Sequence, residues 1–220
     1  MHIYMTKTEL IPLFKVFMAD TAKEAVCSVL DSGFIGEGPK SREFEAALKG
    51  WFNNDYIATT NSGTSAEHLA LHLIKKAYGL EDGDEILATP LTCTASNWPI
   101  LANNFRIKWV DVDPKTLNMD LDDLERKISP TTKGVMAVHW GGYPIDLDRL
   151  ASIKSKTSEM YGFELAVIED CAHSLGSTYK GKKLGNHGNF ATFSFQAIKH
   201  LTSIDGGILI TPTGQDYQRA

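Results

Sequence analysis

Lys199 is the residue of this sequence with the clearest potential for covalent chemistry. It follows the apolar and aromatic residues 192–198 and precedes an Asp-Gly-Gly segment at residues 205–207. Apolar surroundings remove solvation from a lysine and favour its neutral amine, which can form a Schiff base with an aldehyde. Ser194 can add a hydroxyl group to a phosphate site, and the two glycines would let the chain pass close to a ligand. The alternative is a solvated lysine that follows a strand, which is the usual location of lysine.

Asp170 and His173 form a second group with chemical potential. The apolar residues 165–168 predict a buried strand that ends in Glu169 and Asp170, and ligands of α/β proteins bind at the carboxyl ends of parallel strands. A carboxylate there can keep a pyridine nitrogen protonated, which strengthens the ring as an electron sink. His173 would lie on the same side of the turn, close to the ring or its phenolic oxygen. Alternatively, Asp170 caps a loop and His173 is a surface histidine.

Residues 62–64, Ser-Gly-Thr, lie between a predicted strand and a predicted helix. The first backbone N–H groups of a helix have no intrahelical acceptor, and the helix dipole adds positive potential, so this position suits a phosphate. Gly63 would allow close approach, and Thr64 would add a hydroxyl group. An ordinary N-cap explains the same residues, since serine and threonine are favoured there.

Alternating helix-like and strand-like segments predict an α/β domain with a mainly parallel sheet that positions these groups. Ser41 is the predicted N-cap after a glycine-rich loop at 32–39, and no closing element is predicted after residue 211. The predicted helices are 18–31, 41–52, 65–78, 93–103, 120–127 and 146–160, and the predicted strands are 56–60, 85–89, 106–112, 134–139, 165–169, 190–195 and 207–211.

Composition excludes several other classes of function. The 220 residues are 43% hydrophobic and 22% charged, with a net charge of −5 and no basic block, which argues against a nucleic-acid partner. Three cysteines without a CxxC pair and seven histidines without an HExxH motif indicate neither disulfides nor a metal site. No apolar run approaches the roughly 20 residues of a membrane span, and residues 1–17 lack a signal-peptide core. We therefore expect a cytoplasmic protein without membrane contact.

Eight short motifs give the sequence a family resemblance. From residue 34 to residue 211 it resembles the DegT/DnrJ/EryC1/StrS family of sugar aminotransferases, which are pyridoxal-phosphate (PLP) enzymes of fold-type I. Each motif is modest, but their order and spacing together are specific. They are residues 34–39, 61–66, 83–86, 110–113, 138–142, 144–146, 169–174 and 193–195 with Lys199.

The resemblance implies a role for each candidate residue. Lys199 would hold the cofactor and move protons, and Asp170 would pair with the pyridine nitrogen, so these two are the expected catalytic residues. Cys93 stands where the family usually has an aromatic residue against the face of the ring. The expected cofactor-binding residues are Gly63, Thr64, Cys93, Asp170, His173, Ser194 and Lys199.

The resemblance also implies the fold and the domain organisation. The fold would be the large domain of a fold-type I enzyme, with a mixed, mostly parallel sheet between helices in three α/β/α layers. Residues 1–30 would be an N-terminal helical segment, and residues 31–211 the PLP-binding large domain. Residues 212–220 would begin a smaller C-terminal domain, since family members continue well beyond this length.

The implied reaction moves an amino group from an amino-acid donor, usually L-glutamate, to a keto group of a nucleotide-linked deoxysugar, for cell-surface or secondary-metabolite sugars. The family resemblance also implies a homodimer. One alternative is a sugar dehydratase that uses the same cofactor. Such enzymes carry a histidine in place of the lysine, so Lys199 argues against them. The other alternative is a non-catalytic relative that folds without turnover.

Overall fold

The computed structural model describes residue 12 and residues 14–220 as an α/β domain. The predicted N-terminal helical segment lies partly outside these residues, and its described helix begins at Ala22. The helices are α1 (Ala22–Ser32), α2 (Pro39–Phe52), α3 (Gly63–Ala77), α4 (Thr94–Ala102), α5 (Leu121–Lys127), α6 (Leu147–Tyr161) and α7 (Gly214–Arg219). The strands are β1 (Ile57–Thr60), β2 (Glu85–Ala88), β3 (Arg106–Trp109), β4 (Thr132–Val138), β5 (Ala166–Asp170), β6 (Thr178–Tyr179), β7 (Lys182–Lys183), β8 (Phe190–Ser194) and β9 (Gly207–Ile210).

Seven strands form one sheet in the order β1-β9-β8-β5-β4-β2-β3. Strand β9 is antiparallel to both of its neighbours, β1 and β8, whereas the remaining pairs are parallel. The sheet is therefore mixed and mostly parallel, as the sequence predicted. Its parallel strands bring the ends of β4, β5 and β8 to one edge, which is where ligands of such folds bind.

Helices cover both faces of the sheet and make the three layers. On one face, α3 and α4 contribute fully buried residues such as Leu71, Ile74 and Ile100. On the other face, α2 and α6 contribute Phe52 and Ile153, among others. This burial on both faces explains the nearly continuous apolar runs of the central strands, because a parallel strand is covered on both sides.

Two local predictions were wrong. Ser41 does not cap α2, because the helix already begins at Pro39 with Gly38 as its N-cap. Proline suits the first helical position, since its fixed φ matches the helix and its missing N–H is not needed there. The chain also has a closing element after residue 211, the short helix α7. Its Thr213 side chain accepts a hydrogen bond from the backbone N–H of Asp216 (3.1 Å).

Packing holds α7 against the domain. Lys49 in α2 donates a hydrogen bond to the hydroxyl of Tyr217 (3.1 Å), and the rings of Tyr217 and Tyr56 lie 6.3 Å apart.

Among the residues that the structure describes, no helix combines the length and the apolar character that a membrane crossing requires.

Candidate active site

A cavity of about 400 Å³ lies where β4, β5 and β8 end and α3 begins. Larger cavities are also present. One of about 520 Å³ shares no lining residue with the first cavity and is lined largely by acidic and other polar side chains. Another, of about 720 Å³, adjoins the first cavity and shares Thr64 and Cys93 with it. The structure brings every sequence-predicted site residue to the first cavity, namely Gly63, Thr64, Cys93, Asp170, His173, Ser194 and Lys199.

The start of α3 is packed in backbone contact with the neighbouring strands. Ser62 is its N-cap and accepts a hydrogen bond from the N–H of Ser65 (3.1 Å). A Cβ on Gly63 would lie 2.8 Å from the Cβ of Ser194, and a Cβ on Gly207 would lie 2.5 Å from the carbonyl of Ser62. Only glycine fits at these two positions without a shift of the neighbouring atoms. Ser62, Gly63 and Thr64 line the cavity, and the amino end of a helix is a favourable position for an anion.

Asp170 ends β5 and is only 4% exposed. Its Oδ2 accepts a hydrogen bond from the hydroxyl of Ser96 (2.6 Å), and its Oδ1 accepts one from the backbone N–H of Ala172 (2.9 Å). A carboxylate has about four acceptor positions, so Asp170 keeps the capacity to bind a cationic N–H group in the cavity.

His139 and Glu169 form a fully buried pair behind the site, both 0% exposed. Nδ1 of His139 accepts a hydrogen bond from the N–H of Ile145 (3.1 Å). In the neutral imidazole Nε2 then carries the hydrogen and donates to Glu169 Oε2 at 3.0 Å. Asn189 donates to the other oxygen of Glu169 (2.8 Å).

Cys171 adds a third metal-capable group to this pair, with the potential ligand atoms within 4.8 Å of one another. However, both nitrogens of His139 and both oxygens of Glu169 already have hydrogen-bond partners. Burial raises the pKa of the Cys171 thiol well above its ordinary value. We therefore assign the cluster to fixing the ends of β4 and β5 rather than to metal binding.

Lys199 and His173 both line the cavity. Lys199 is partly buried, in a turn where its backbone N–H donates to the carbonyl of Gln196 (2.9 Å). The sequence argument assumed a lysine well removed from solvent, whereas the structure places it in a partly open turn. Burial and then the positive charge of Lys199 lower the pKa of His173. His173 is therefore a neutral imidazole at neutral pH. Cys93 is exposed and lies at the rim of the cavity.

Glu67 and Ser96 are among the residues of the site that the sequence analysis missed. Glu67 is only 3% exposed and lines the cavity from the second turn of α3. Burial and then the negative charge of Asp170 raise its pKa well above the ordinary 4.5. A signal was available for both residues, because each falls on the buried stripe of its helix. Glu67 is spaced with Ala70 and Ile74, and Ser96 with Ile100.

Comparison with known proteins places this geometry in a family. Residues 17–220 match the DegT/DnrJ/EryC1/StrS aminotransferase family. The chain is 52% identical to AtS13 from Actinomadura melliaura, with a TM-score of 0.93, over 97% of this chain and 57% of that one. It is 46% identical to the sugar aminotransferase CalS13 from Micromonospora echinospora, with a TM-score of 0.90, over 96% of this chain and 56% of that one.

A dehydratase is also similar to this chain. The E. coli GDP-4-keto-6-deoxy-D-mannose-3-dehydratase, solved with bound hydrated PLP, is 28% identical, with a TM-score of 0.85. That match covers 94% of this chain and 52% of the dehydratase. The chain thus spans little more than half the length of each of these three proteins.

Proposed function

The chain belongs to the DegT/DnrJ/EryC1/StrS aminotransferase family, and on that premise we propose that it forms the cofactor-binding part of a PLP-dependent sugar aminotransferase. The proposed reaction moves an amino group from an amino acid, L-glutamate, to a keto group of a nucleotide-linked deoxysugar. One observation carries the proposal. A single cavity contains an amine, a buried carboxylate and the amino end of a helix.

The residues of this cavity fit PLP. The amino end of α3, with the hydroxyl groups of Thr64 and Ser194, would supply donors for a phosphate, and all three elements of this donor set line the cavity. Asp170 supplies the negative charge that a protonated pyridine nitrogen needs, and Lys199 supplies an amine for the aldehyde. When bound, PLP supplies an electron sink for the negative charge that develops at the carbon bearing the nitrogen.

The side chains around the cofactor have separate proposed roles. Lys199 would attach the cofactor and, when its amine is free, would move a proton between the carbon that bears the nitrogen and the carbon of the cofactor. Asp170, held by Ser96 and by the N–H of Ala172, keeps the pyridine nitrogen charged. His173, neutral because burial and Lys199 lower its pKa, can hydrogen-bond the ring oxygen without adding positive charge next to Lys199.

A PLP-dependent sugar dehydratase is the second candidate, because one such enzyme is 28% identical to this chain. The family resemblance associates that activity with a histidine in place of the Schiff-base lysine. Lys199 in the cavity favours the aminotransferase over the dehydratase.

We also propose that the active protein is a homodimer. Trp98, Leu101 and Trp109 are 62%, 50% and 48% exposed, and they lie together beside the cavity. A contiguous exposed apolar patch of this kind is typical of an interaction site. A second copy of the chain that covers this patch would also help to close the cavity to water.

Covalent labelling tests the proposed role of Lys199. The protein is incubated with PLP, reduced with borohydride and digested, and the pyridoxyl group is located by peptide mapping. We expect it on Lys199, and we expect Lys199→Ala to abolish it. Lys182→Ala is the matched control, since this exposed lysine does not line the cavity. A pyridoxyl group on another lysine, with Lys199 unmodified, would contradict the assignment.

A second assay tests the reaction itself. The full-length enzyme loaded with PLP is mixed with L-glutamate, and the formation of pyridoxamine phosphate is followed by absorption. Asp170→Asn should sharply reduce this conversion, because an amide does not hold the pyridine nitrogen charged. Wild-type conversion by Asp170→Asn would show that the carboxylate does not have this role.

A further inference from the structure

Glu67 is a buried acid that the proposed mechanism does not use. It lies in the second turn of α3, 3% exposed, and it lines the cavity together with Asp170. Its Oε2 is fully enclosed, and no N–H or hydroxyl group of the described residues donates a hydrogen bond to it. Such an unpartnered buried oxygen is rare in proteins and calls for an explanation.

Burial favours the neutral form of this acid. A charged carboxylate without hydrogen bonds is strongly disfavoured in a buried site, so such a group binds a proton instead. Burial acts first and the charge of Asp170 second to raise the pKa of Glu67 well above 4.5. A side-chain hydrogen bond with Asp170 and then Cys93 act in the same direction. The positive charge of Lys199 opposes them but does not outweigh them.

The proton belongs to Glu67 rather than to Asp170. Two acids that share one site cannot both ionise easily, so one of them keeps a proton. Asp170 already accepts hydrogen bonds on both of its oxygens, from Ser96 and from the N–H of Ala172. Glu67 has no such donors among the described residues. As the neutral acid it carries one O–H group, and the Asp170 carboxylate is the charged acceptor in the same cavity.

We propose that Glu67 is a positioning residue for Asp170, donating a hydrogen bond from its carboxyl group to the Asp170 carboxylate and so fixing that carboxylate in the cofactor site. Glu67 thus acts on Asp170 from α3 while Ser96 acts from α4. The part that concerns the cofactor rests on the proposed function, whereas the hydrogen bond between the two side chains does not.

Infrared difference spectroscopy of the protein without cofactor tests the hydrogen bond directly. The spectrum of wild type minus Glu67→Gln at neutral pH should show the carbonyl band of a protonated carboxylic acid. In Asp170→Asn this band should shift to higher frequency, because an amide oxygen is a weaker acceptor than a carboxylate. A wild-type spectrum without the band, or a band that Asp170→Asn leaves unshifted, would overturn the proposal.

Asp123→Asn is the matched control for the infrared experiment. Asp123 is also buried, at 5% exposure. Burial opposes its charge, but the N–H of Asp111 and the side chains of Lys127 and Arg126 outweigh burial and lower the pKa of Asp123. This carboxylate is therefore ionised at neutral pH. The spectrum of wild type minus Asp123→Asn should therefore contain no protonated-acid band. This result would show that burial alone does not produce the band assigned to Glu67.

Cofactor affinity tests the positioning role. Glu67→Gln keeps a donor and should bind PLP about as tightly as wild type. Glu67→Leu has no donor and should bind it about tenfold more weakly, as expected for the loss of a hydrogen bond to a charged group. Thermal melting is the control for folding. Glu67→Leu should unfold in one transition with a Tm below that of wild type, because it loses the hydrogen bond to Asp170. Unchanged affinity in Glu67→Leu would overturn the positioning role.

The two experiments separate the inference from the proposed function. If the wild-type protein showed the infrared band and its shift but bound no PLP, the proposed function would fail while the Glu67–Asp170 hydrogen bond stood. If wild type bound PLP on Lys199 but showed no band, the inference alone would fail.

Discussion

Gly207→Ala should destabilise the domain through close contact with the backbone of Ser62 and Gly63 at the start of α3. Gly207 is the first residue of β9 and pairs with Thr60 on one side and Ser194 on the other. A Cβ at this position would lie 2.5 Å from the carbonyl carbon and oxygen of Ser62 and 2.6 Å from the nitrogen of Gly63. Ordinary van der Waals contacts of a Cβ begin near 3.4 Å, so the strand and the loop must separate by a large fraction of an ångström.

The expected loss of stability follows from which atoms are in contact. All three are backbone atoms, so no side-chain rotation can relieve the overlap, and hydrogen bonds in the sheet hold β9 on both sides. Overpacking of this kind typically costs about 1–3 kcal/mol, and we expect the upper end, about 3 kcal/mol. For a protein of this size, about 2–4 °C of Tm corresponds to 1 kcal/mol, so the predicted decrease in Tm is about 6–12 °C.

The assay is thermal unfolding followed by circular dichroism, with PLP affinity as a second measurement. Affinity should also decrease, because the displaced residues Ser62 and Gly63 form the start of α3. Gly50→Ala is the matched control. It lies inside α2, where a Cβ would have no neighbour within 4 Å, and it should stabilise the protein by about 0.5–1 kcal/mol. A Gly207→Ala variant with the Tm and affinity of wild type would refute the close-packing argument.

Three further predictions concern the groups around Asp170. Ser96→Ala removes the 2.6 Å hydrogen bond to Asp170 and should destabilise the protein by about 1.5–3 kcal/mol in urea unfolding, as typical for a bond to a charged group; an unchanged midpoint would contradict this. The folded-state pKa of His173 lies below 6.5, so the unfolded state binds more protons and stability should decrease as pH falls below 6.5, less so in His173→Gln. The folded-state pKa of Glu67 lies above 4.5, so the stability that Glu67 contributes should be lost as pH rises above 4.5. The unfolding free energy of wild type should therefore decrease relative to that of Glu67→Gln over this range. A difference that stays constant with pH would exclude a raised pKa.

The sequence predicted the main elements of the fold because their hydrophobic patterns are long and continuous. The predicted helix at 65–78 corresponds to α3, Gly63–Ala77, and the predicted strand at 165–169 corresponds to β5, Ala166–Asp170. Short elements without a strong pattern were missed. Helix α7 depends on the Thr213 cap and on contacts of Tyr217 with distant residues, and the hairpin of β6 and β7 has only two residues in each strand.

The candidate site was predictable where a local motif carries the chemistry, as at Gly63, Asp170 and Lys199. Helical spacing indicates that Ser96 and Glu67 are buried, but it does not predict their contacts with Asp170, because these contacts join distant segments. Ser96 and Asp170 are 74 positions apart in the chain, and their hydrogen bond exists only because α4 packs at the end of β5. Glu67 is one acid in an otherwise apolar stripe, and its effect depends on the proximity of Asp170.

Three buried acids lie close to one edge of the sheet, and electrostatic repulsion between them is reduced in a different way for each. Glu169 receives hydrogen bonds from His139 and Asn189 and faces the interior. Asp170 receives them from Ser96 and Ala172 and faces the cavity. Glu67 has no donor among the described residues, and by our inference it binds a proton. This arrangement leaves Asp170 as the carboxylate that directs its charge into the cavity. A second charge at position 67 would repel that of Asp170 and promote protonation of one of the two acids. An Asp170 that binds a proton could no longer hold a proton on the cofactor nitrogen, so the neutrality of Glu67 is a requirement of the proposed chemistry.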